Sequence, residues 1–204
     1  ITAEVFTGDV INPLDVGIYR ALAGGVTTIH AMHGSANAVG GQCETVKLRY
    51  GLTDPEALKM EGAPRTIKFA LGENPLRVHG LGRNIQPRSR MGIEQVFRRA
   101  FAEGQAYAAE WAAYERAAQR DPNAIPPAYD LRLQTLADIL AGDIIIHCHS
   151  YRADEILMLM DVCRDFGVEK LVFQHVNEGY KIAPELAEFG AMASVFSDWW
   201  AYKF

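Results

Sequence analysis

The sequence predicts an α/β fold built as a β/α barrel of the TIM type, and three observations carry that reading. Strand-like and helix-like segments alternate along the 204 residues, the order expected of β/α units around a parallel sheet. The strand-like segments are nearly all apolar, as strands covered on both faces are. Three of them also carry an odd polar residue: Lys68 within Thr66-Ile67-Lys68-Phe69-Ala70, two histidines closing Ile144-Ile145-Ile146-His147-Cys148-His149, and His175 closing Lys170-Leu171-Val172-Phe173-Gln174-His175. In a barrel the C-terminal strand ends converge on one mouth, so residues from separate strands can form one site. An open doubly wound sheet holding a dinucleotide is the competing fold. It would need a Gly-rich fingerprint, and residues 34–41 have neither the G-x-G-x-x-G nor the P-loop spacing.

The elements follow in order. Residues 15–23 read as a helix closed by Gly24-Gly25, and 26–32 as a strand entering the Gly-rich loop 34–41. A short strand is expected at 45–48, a helical turn or two at 54–60, and the lysine-bearing strand at 66–71. A polar, Gly/Pro-rich loop should span 72–89. Residues 91–120 are rich in Ala, Glu, Gln and Arg, with Phe97, Phe101, Ala108, Trp111 and Ala112 along one side, which predicts a long amphipathic helix ended by Pro122. Helix 130–140, strand 144–149, helix 153–166, strand 171–176, helix 184–189 and strand 192–196 complete a single barrel domain over residues 1–204.

Composition narrows the function. A hydrophobic content of 49% over 204 residues suffices for a full core, and a mean hydropathy of -0.05 argues against a membrane protein. The net charge of -5 and the scattered Lys and Arg residues give a nucleic-acid partner no electrostatic support. A small-molecule substrate is the expectation. Cys43, Cys148 and Cys163 are too few and too dispersed for a disulfide framework, which favours reduced thiols and, with them, a cytoplasmic setting. The chain starts at Ile1 without an initiator methionine or signal peptide, so it reads as processed or as part of something longer.

His147 and His149 sit at i and i+2 in a strand and so share a face. Neutral imidazole is the commonest protein ligand for a divalent transition metal, so this pair, Lys68 and His175 together suggest a metal site. His30 and His33 are three apart across a strand and a turn. They face differently and are not expected to act as a ligand pair.

The chain resembles the metal-dependent amidohydrolase superfamily, and within it the imidazolonepropionase-like and prolidase-like members. The resemblance rests on Gly25-Val26-Thr27-Thr28, Ile67-Lys68-Phe69-Ala70-Leu71-Gly72-Glu73-Asn74-Pro75, His147-Cys148-His149-Ser150-Tyr151-Arg152-Ala153-Asp154-Glu155-Ile156, and Gln174-His175-Val176 before Gly179-Tyr180-Lys181-Ile182-Ala183. It implies a hydrolase of amide, peptide or cyclic imide C–N bonds acting through metal-activated hydroxide, with one or two zinc ions. It also implies that Lys68 is carboxylated by carbon dioxide and bridges the metals, that His175 is the later histidine ligand, and that His147 or His149 is the middle one. A lysine captures carbon dioxide only as the neutral amine, which burial favours. Lys68, His149 and His175 are thus the catalytic candidates. Glu73, Asn74 and Arg77 lie just beyond Lys68, where ligand-orienting or substrate contacts are made, and Gln42 closes a loop that could line the pocket.

The superfamily's His-x-His and its last-strand aspartate would lie before Ile1 and after Phe204. The resemblance therefore implies an incomplete barrel, from about the second strand to the seventh, taken from an enzyme of roughly 400 residues. Asp198 could replace the missing acid, although Ser197-Asp198-Trp199-Trp200 reads more simply as a helix N-cap before aromatic packing. An open barrel exposes strand edges, so the isolated segment should be inactive and should aggregate or pair, a homo-oligomer being one such outcome. Each residue also has a plainer reading: Lys68 as a strand-end lysine reaching solvent, His175 as a satisfied core histidine, Cys148 as packing. The alternatives in function are lactone or phosphoester hydrolysis on the same scaffold, and a metal-binding barrel that has lost hydrolysis.

Overall fold

In the computed structural model, which describes residues 1–196, the lysine and histidine strands lie side by side because helices join them. β3 (Arg65–Ala70), β4 (Ile144–Ser150), β5 (Leu171–His175) and β6 (Met192–Ser194) run parallel. Each is connected to the next through helix, as parallel neighbours require. The short turn α2 (Glu73–Pro75) leads through a π-helical segment, Leu76–Leu81, to the long α3 (Arg90–Ala118) and then α4 (Leu131–Leu140) before β4. Between β4 and β5 runs α5 (Ala153–Phe166), and between β5 and β6 runs α6 (Ala183–Phe189). The sheet has six strands in sequence order and curls as a half-barrel.

The expectation of parallel strands throughout fails at the N-terminal side. After α1 (Val16–Ala23), β1 (Thr28–Ala31) and β2 (Val39–Lys47) form a hairpin, and β2 is antiparallel to both β1 and β3. The Gly-rich stretch 34–41, expected as loop, therefore gives its last three residues to a strand. Glycine is needed there because the strand is crowded: a Cβ on Gly40 would lie 2.4 Å from the His33 ring and 2.5 Å from the Lys68 carbonyl oxygen. The expected loop 72–89 is also partly helical. Pro75 tolerates that position because it sits in the first turn, where its missing N–H has no helical partner.

The main core fills the space between the sheet and the helices. Phe69 of β3 stacks on Phe97 of α3 with centroids 5.6 Å apart and planes 4° from parallel, and Phe101 lies 6.1 Å away. Ile144, Ile146 and Cys148 of β4 and Phe173 of β5 join them, fully buried. Side-chain caps fix the helix starts: Asp15 accepts from Gly17 N–H at 2.6 Å, Ser89 from Gly92 N–H at 3.1 Å, and Asp130 from Leu133 N–H at 2.9 Å. A smaller cluster of Ile18, Val46, Leu48 and Leu58 packs α1 on the hairpin and on a 3-10 turn, Pro55–Leu58. Among the described residues no helix is long and apolar enough to cross a membrane.

Candidate active site

Strand alternation sorts the polar residues onto the sheet face opposite the helices. Ile67 and Phe69 face the helical layer, so Thr66, Lys68 and Ala70 face inward. On β4, His147 and His149 do the same. The parallel register sets Lys68 opposite His147, Ala70 opposite His149, and His149 opposite Gln174. Lys68 and His147 thus share a level, and His149 lies two residues nearer the mouth.

The deeper level is a closed polar network. His30 Nε2 lies 2.8 Å from Thr66 Oγ1, and its ring meets that of His147 edge-on at 4.6 Å. Gln174 Nε2 lies 2.8 Å from His147 Nδ1. Burial, then His30, then Lys68 press the His147 pKa down to about 4, so the ring is uncharged at neutral pH. Burial also lowers the pKa of His30.

Lys68 is 5% exposed, and its ammonium donates to Ser35 Oγ at 2.9 Å. Burial lowers its pKa, partly opposed by the Cys148 and Cys43 thiols. The neutral amine is correspondingly easier to reach, which is the state carbon dioxide requires. Burial raises Cys43 in turn to about 11, keeping it a thiol.

Nearer the mouth, the ends of β4 and β5 bring His149, Tyr151 and His175 together. The His149 ring lies 4.8 Å from that of His175 and 4.5 Å from Tyr151, and Phe196 lies 4.4 Å from His175 on its other side. Alternation alone would point His175 outward like Phe173. It turns inward because the backbone enters the left-handed region, with φ 68° at His175 and 48° at Val176. Such a conformation costs about 1–3 kcal/mol per non-glycine residue and persists only where the surroundings enforce it. Here Val176 N–H donates to the Ser150 carbonyl at 3.0 Å and Gly179 N–H to the Val176 carbonyl at 2.8 Å. The Glu178 carboxylate accepts from Ala153 N–H at 2.9 Å, tying this turn to the start of α5.

The segment after β3 reaches the same place. Asn74 Nδ2 lies 3.2 Å from His149 Nε2. Gly72 precedes it at φ 74°, and a Cβ there would come within 3.0 Å of the Glu155 carboxylate. Glu155, 5% exposed, pairs with Arg90 at the head of α3 and so ties that helix to α5 beneath the turn.

The sequence candidates therefore separate. Lys68, His149, His175 and Asn74 share the inward face, and His147 lies one level deeper. Glu73 and Arg77, on either side of Asn74 in sequence, are exposed. Gln42 lies elsewhere: its amide donates to Thr135 at 3.3 Å and accepts from Arg65 at 3.2 Å, on the helix side of the sheet. His33 is held by Gly41, whose N–H donates to Nε2 at 2.7 Å, so it is not a partner of His30. Asp198 lies outside the described residues. Ser35, Tyr151 and Gln174 are contacts that sequence reasoning missed, although Tyr151 and Gln174 stand within two residues of a singled-out histidine. Among the described residues no three His, Cys, Asp or Glu side chains gather in reach of one metal ion. The fit to a metal is partial: two adjacent imidazoles are present, and Lys68, as its carbamate, would be a third ligand.

No family model matches the chain. It is 31% identical over 191 residues to amidohydrolase tasK of Hapsidospora irregularis, a match covering 87% of this chain and 19% of that protein. The fold matches an amidohydrolase from Thermotoga maritima MSB8 with a TM-score of 0.85 and 35% identity, covering 97% of this chain and 49% of that one. The chain thus spans about half the Thermotoga protein and a smaller share of tasK. Both relatives are named amidohydrolases.

Proposed function

We propose that this chain forms the middle of a metal-dependent hydrolase that cleaves C–N bonds of amides, peptides or cyclic imides, on a barrel completed by further strands of a longer enzyme. The observation that carries the reading is the convergence of a buried lysine with two histidines from the ends of adjacent parallel strands. The names of the two relatives support hydrolysis, and the share of the Thermotoga protein that the chain spans agrees with a partial barrel.

In this reading Lys68, His149 and His175 hold the metal. The Lys68 amine adds to carbon dioxide, forming an N–C bond and releasing one proton, and the resulting carbamate is an anionic oxygen ligand. Its side chain has about two strand residues to climb, roughly 6.6 Å, to reach the level of His149. Ser35, which accepts from the ammonium, can turn its hydroxyl to donate to the carbamate instead. Asn74 orients the His149 ring. When bound, a divalent metal such as zinc polarises the scissile carbonyl and brings the pKa of a water to about 7. The inward turn of His175 fixes its ring beside His149 before any ligand arrives, a preorganised arrangement.

A metal-binding barrel without hydrolysis is the second reading. Hydrolysis of lactones or phosphoesters is a third outcome of the same assay, because loops set substrate class on a shared scaffold.

Metal analysis and substrate profiling test the proposal together. The protein should bind about one or two zinc ions per chain, and Lys68→Ala should lose them while remaining folded. Full metal occupancy in that variant would remove the carbamate from the site. Profiling with N-acyl amino acids, dipeptides, cyclic imides, lactones and phosphotriesters should show turnover of the nitrogen-containing group. Metal binding with no turnover would favour the second reading.

A further inference from the structure

Between α3 and α4 runs an apolar segment, Ile125-Pro126-Pro127-Ala128-Tyr129, that hydrolysis leaves unused. Ile125 is 87% exposed and Tyr129 65%. Proline fixes its own φ and pushes the residue before it away from helical angles, so Ile125 and Pro126, each followed by proline, are held in extended polyproline II geometry. The burial pattern has the period of that helix. Ala124, Pro127 and Asp130 are half-buried and the residues between them are exposed, a repeat of three that fits a polyproline II helix lying with one face on the protein. Among the described residues none of Ile125 to Tyr129 donates a backbone hydrogen bond, and a polyproline II helix has no internal ones.

Both ends of the segment are tied down. Ala124 N–H donates to the Asp121 carbonyl at 3.1 Å, and Asp130 N–H donates to Tyr107 Oη at 3.4 Å while the Asp130 carboxylate caps α4. Three residues per turn then put Pro126 and Tyr129 on one outward face, about 9 Å apart along the segment. A proline ridge is read by aromatic-lined grooves such as that of the WW domain, and a tyrosine one turn on adds an anchor with an apolar body and a polar tip. We propose that this segment docks a protein domain of the WW type, with the Pro126 ring between the aromatic side chains of its groove and Tyr129 in the adjoining pocket. The segment is ordered before the partner arrives, so less conformational freedom is lost than by a free peptide. α4 leads from it to the start of β3, where Asp138 pairs with Arg65 at 2.7 Å, so the docking face belongs to the helical layer and not to the rim around Lys68. It is independent of what the site hydrolyses.

A purified WW domain that binds Pro-Pro-x-Tyr peptides is titrated calorimetrically with the protein and with Tyr129→Ala, Pro126→Ala and Ile125→Ala. All three side chains are exposed, and circular dichroism checks that each variant keeps its helices. The protein should bind with a Kd of about 10–100 μM, the scale of a short-segment contact. Tyr129→Ala and Pro126→Ala should weaken binding about tenfold or more, and Ile125→Ala, on another face, by less than about threefold. A synthetic peptide of residues 121–131 carrying the same substitutions should show the same order of losses with folding removed from the comparison, and should bind more weakly than the folded protein. No binding by the protein, binding that survives Tyr129→Ala, or equal losses in all three variants would overturn the assignment. A peptide that binds while the protein does not would overturn it too, because the anchored conformation would then block docking. Tighter binding to an SH3 domain would assign the segment to a different reader.

Discussion

The two faces of the sheet are built from alternate residues of the same strands and do opposite work. The helix-facing set, Ile67, Phe69, Ile144, Ile146, Cys148 and Phe173, is fully buried against the helices. Inward, one residue away at each step, stand Thr66, Lys68, His147, His149 and Gln174, held by hydrogen bonds and ring contacts. Period-two alternation lets the strands supply stability and chemistry without sharing residues. The contrast predicts that substitutions on the two faces will fail in different assays.

The largest effect on stability should come from the helix side. Phe97→Ala removes the ring stacked on Phe69 and should lower the free energy of unfolding by about 3–5 kcal/mol, read from urea denaturation. A loss under about 1 kcal/mol would mean that this layer is not the main support. The inward face should instead show itself through pH. His147 ordinarily titrates near 6.5 but is held to about 4 by burial, so between those values the unfolded chain binds the extra proton. Stability should therefore be complete above about pH 6.5 and fall on acidification toward pH 4, by about 2 kcal/mol after allowing for partial exposure. His147→Asn, which still offers Gln174 a hydrogen-bond partner, should flatten that loss; an unchanged slope would assign it to another group.

Smaller still is the expected cost of Lys68→Met. The thioether fills the lysine stem's space and removes a cation from a buried site, so unfolding should shift by less than about 1 kcal/mol in either direction, while metal binding is lost. A strongly destabilised Lys68→Met would blur the division between the faces. Arg65→Ala, which breaks a half-exposed pair with Asp138, should cost under about 1 kcal/mol and leave metal content unchanged.

Patterning made the helical layer and the parallel strands legible in the sequence. The run of Ala, Glu and Arg around Phe97 and Phe101 could be little but an amphipathic helix, and the isoleucines before His147 little but a buried strand. The hairpin was hidden because Gly40 and Gly41 read as loop signals, whereas they serve close packing against His33 and Val5. Ser35 was hidden for the same reason: its contact with Lys68 joins residues distant in sequence across that hairpin. The inward turn of His175 left no local trace, since Val176 is β-branched and disfavours a left-handed backbone, and histidine adopts one only occasionally. Period-two reasoning put His147 and His149 on one face, where β4 carries them. It would have placed His175 on the wrong side.

The antiparallel course of β2 has a consequence for how this architecture can change. β1 ends at the mouth and β2 begins there, so residues 32–38, which bring Ser35 to Lys68, enter and leave on the same rim without passing through the helical layer. A connection anchored in that way can lengthen, shorten or exchange residues while the core beneath it stays fixed. The rim around the lysine is thus open to variation on its own timescale, separate from the slow drift of the packed helices.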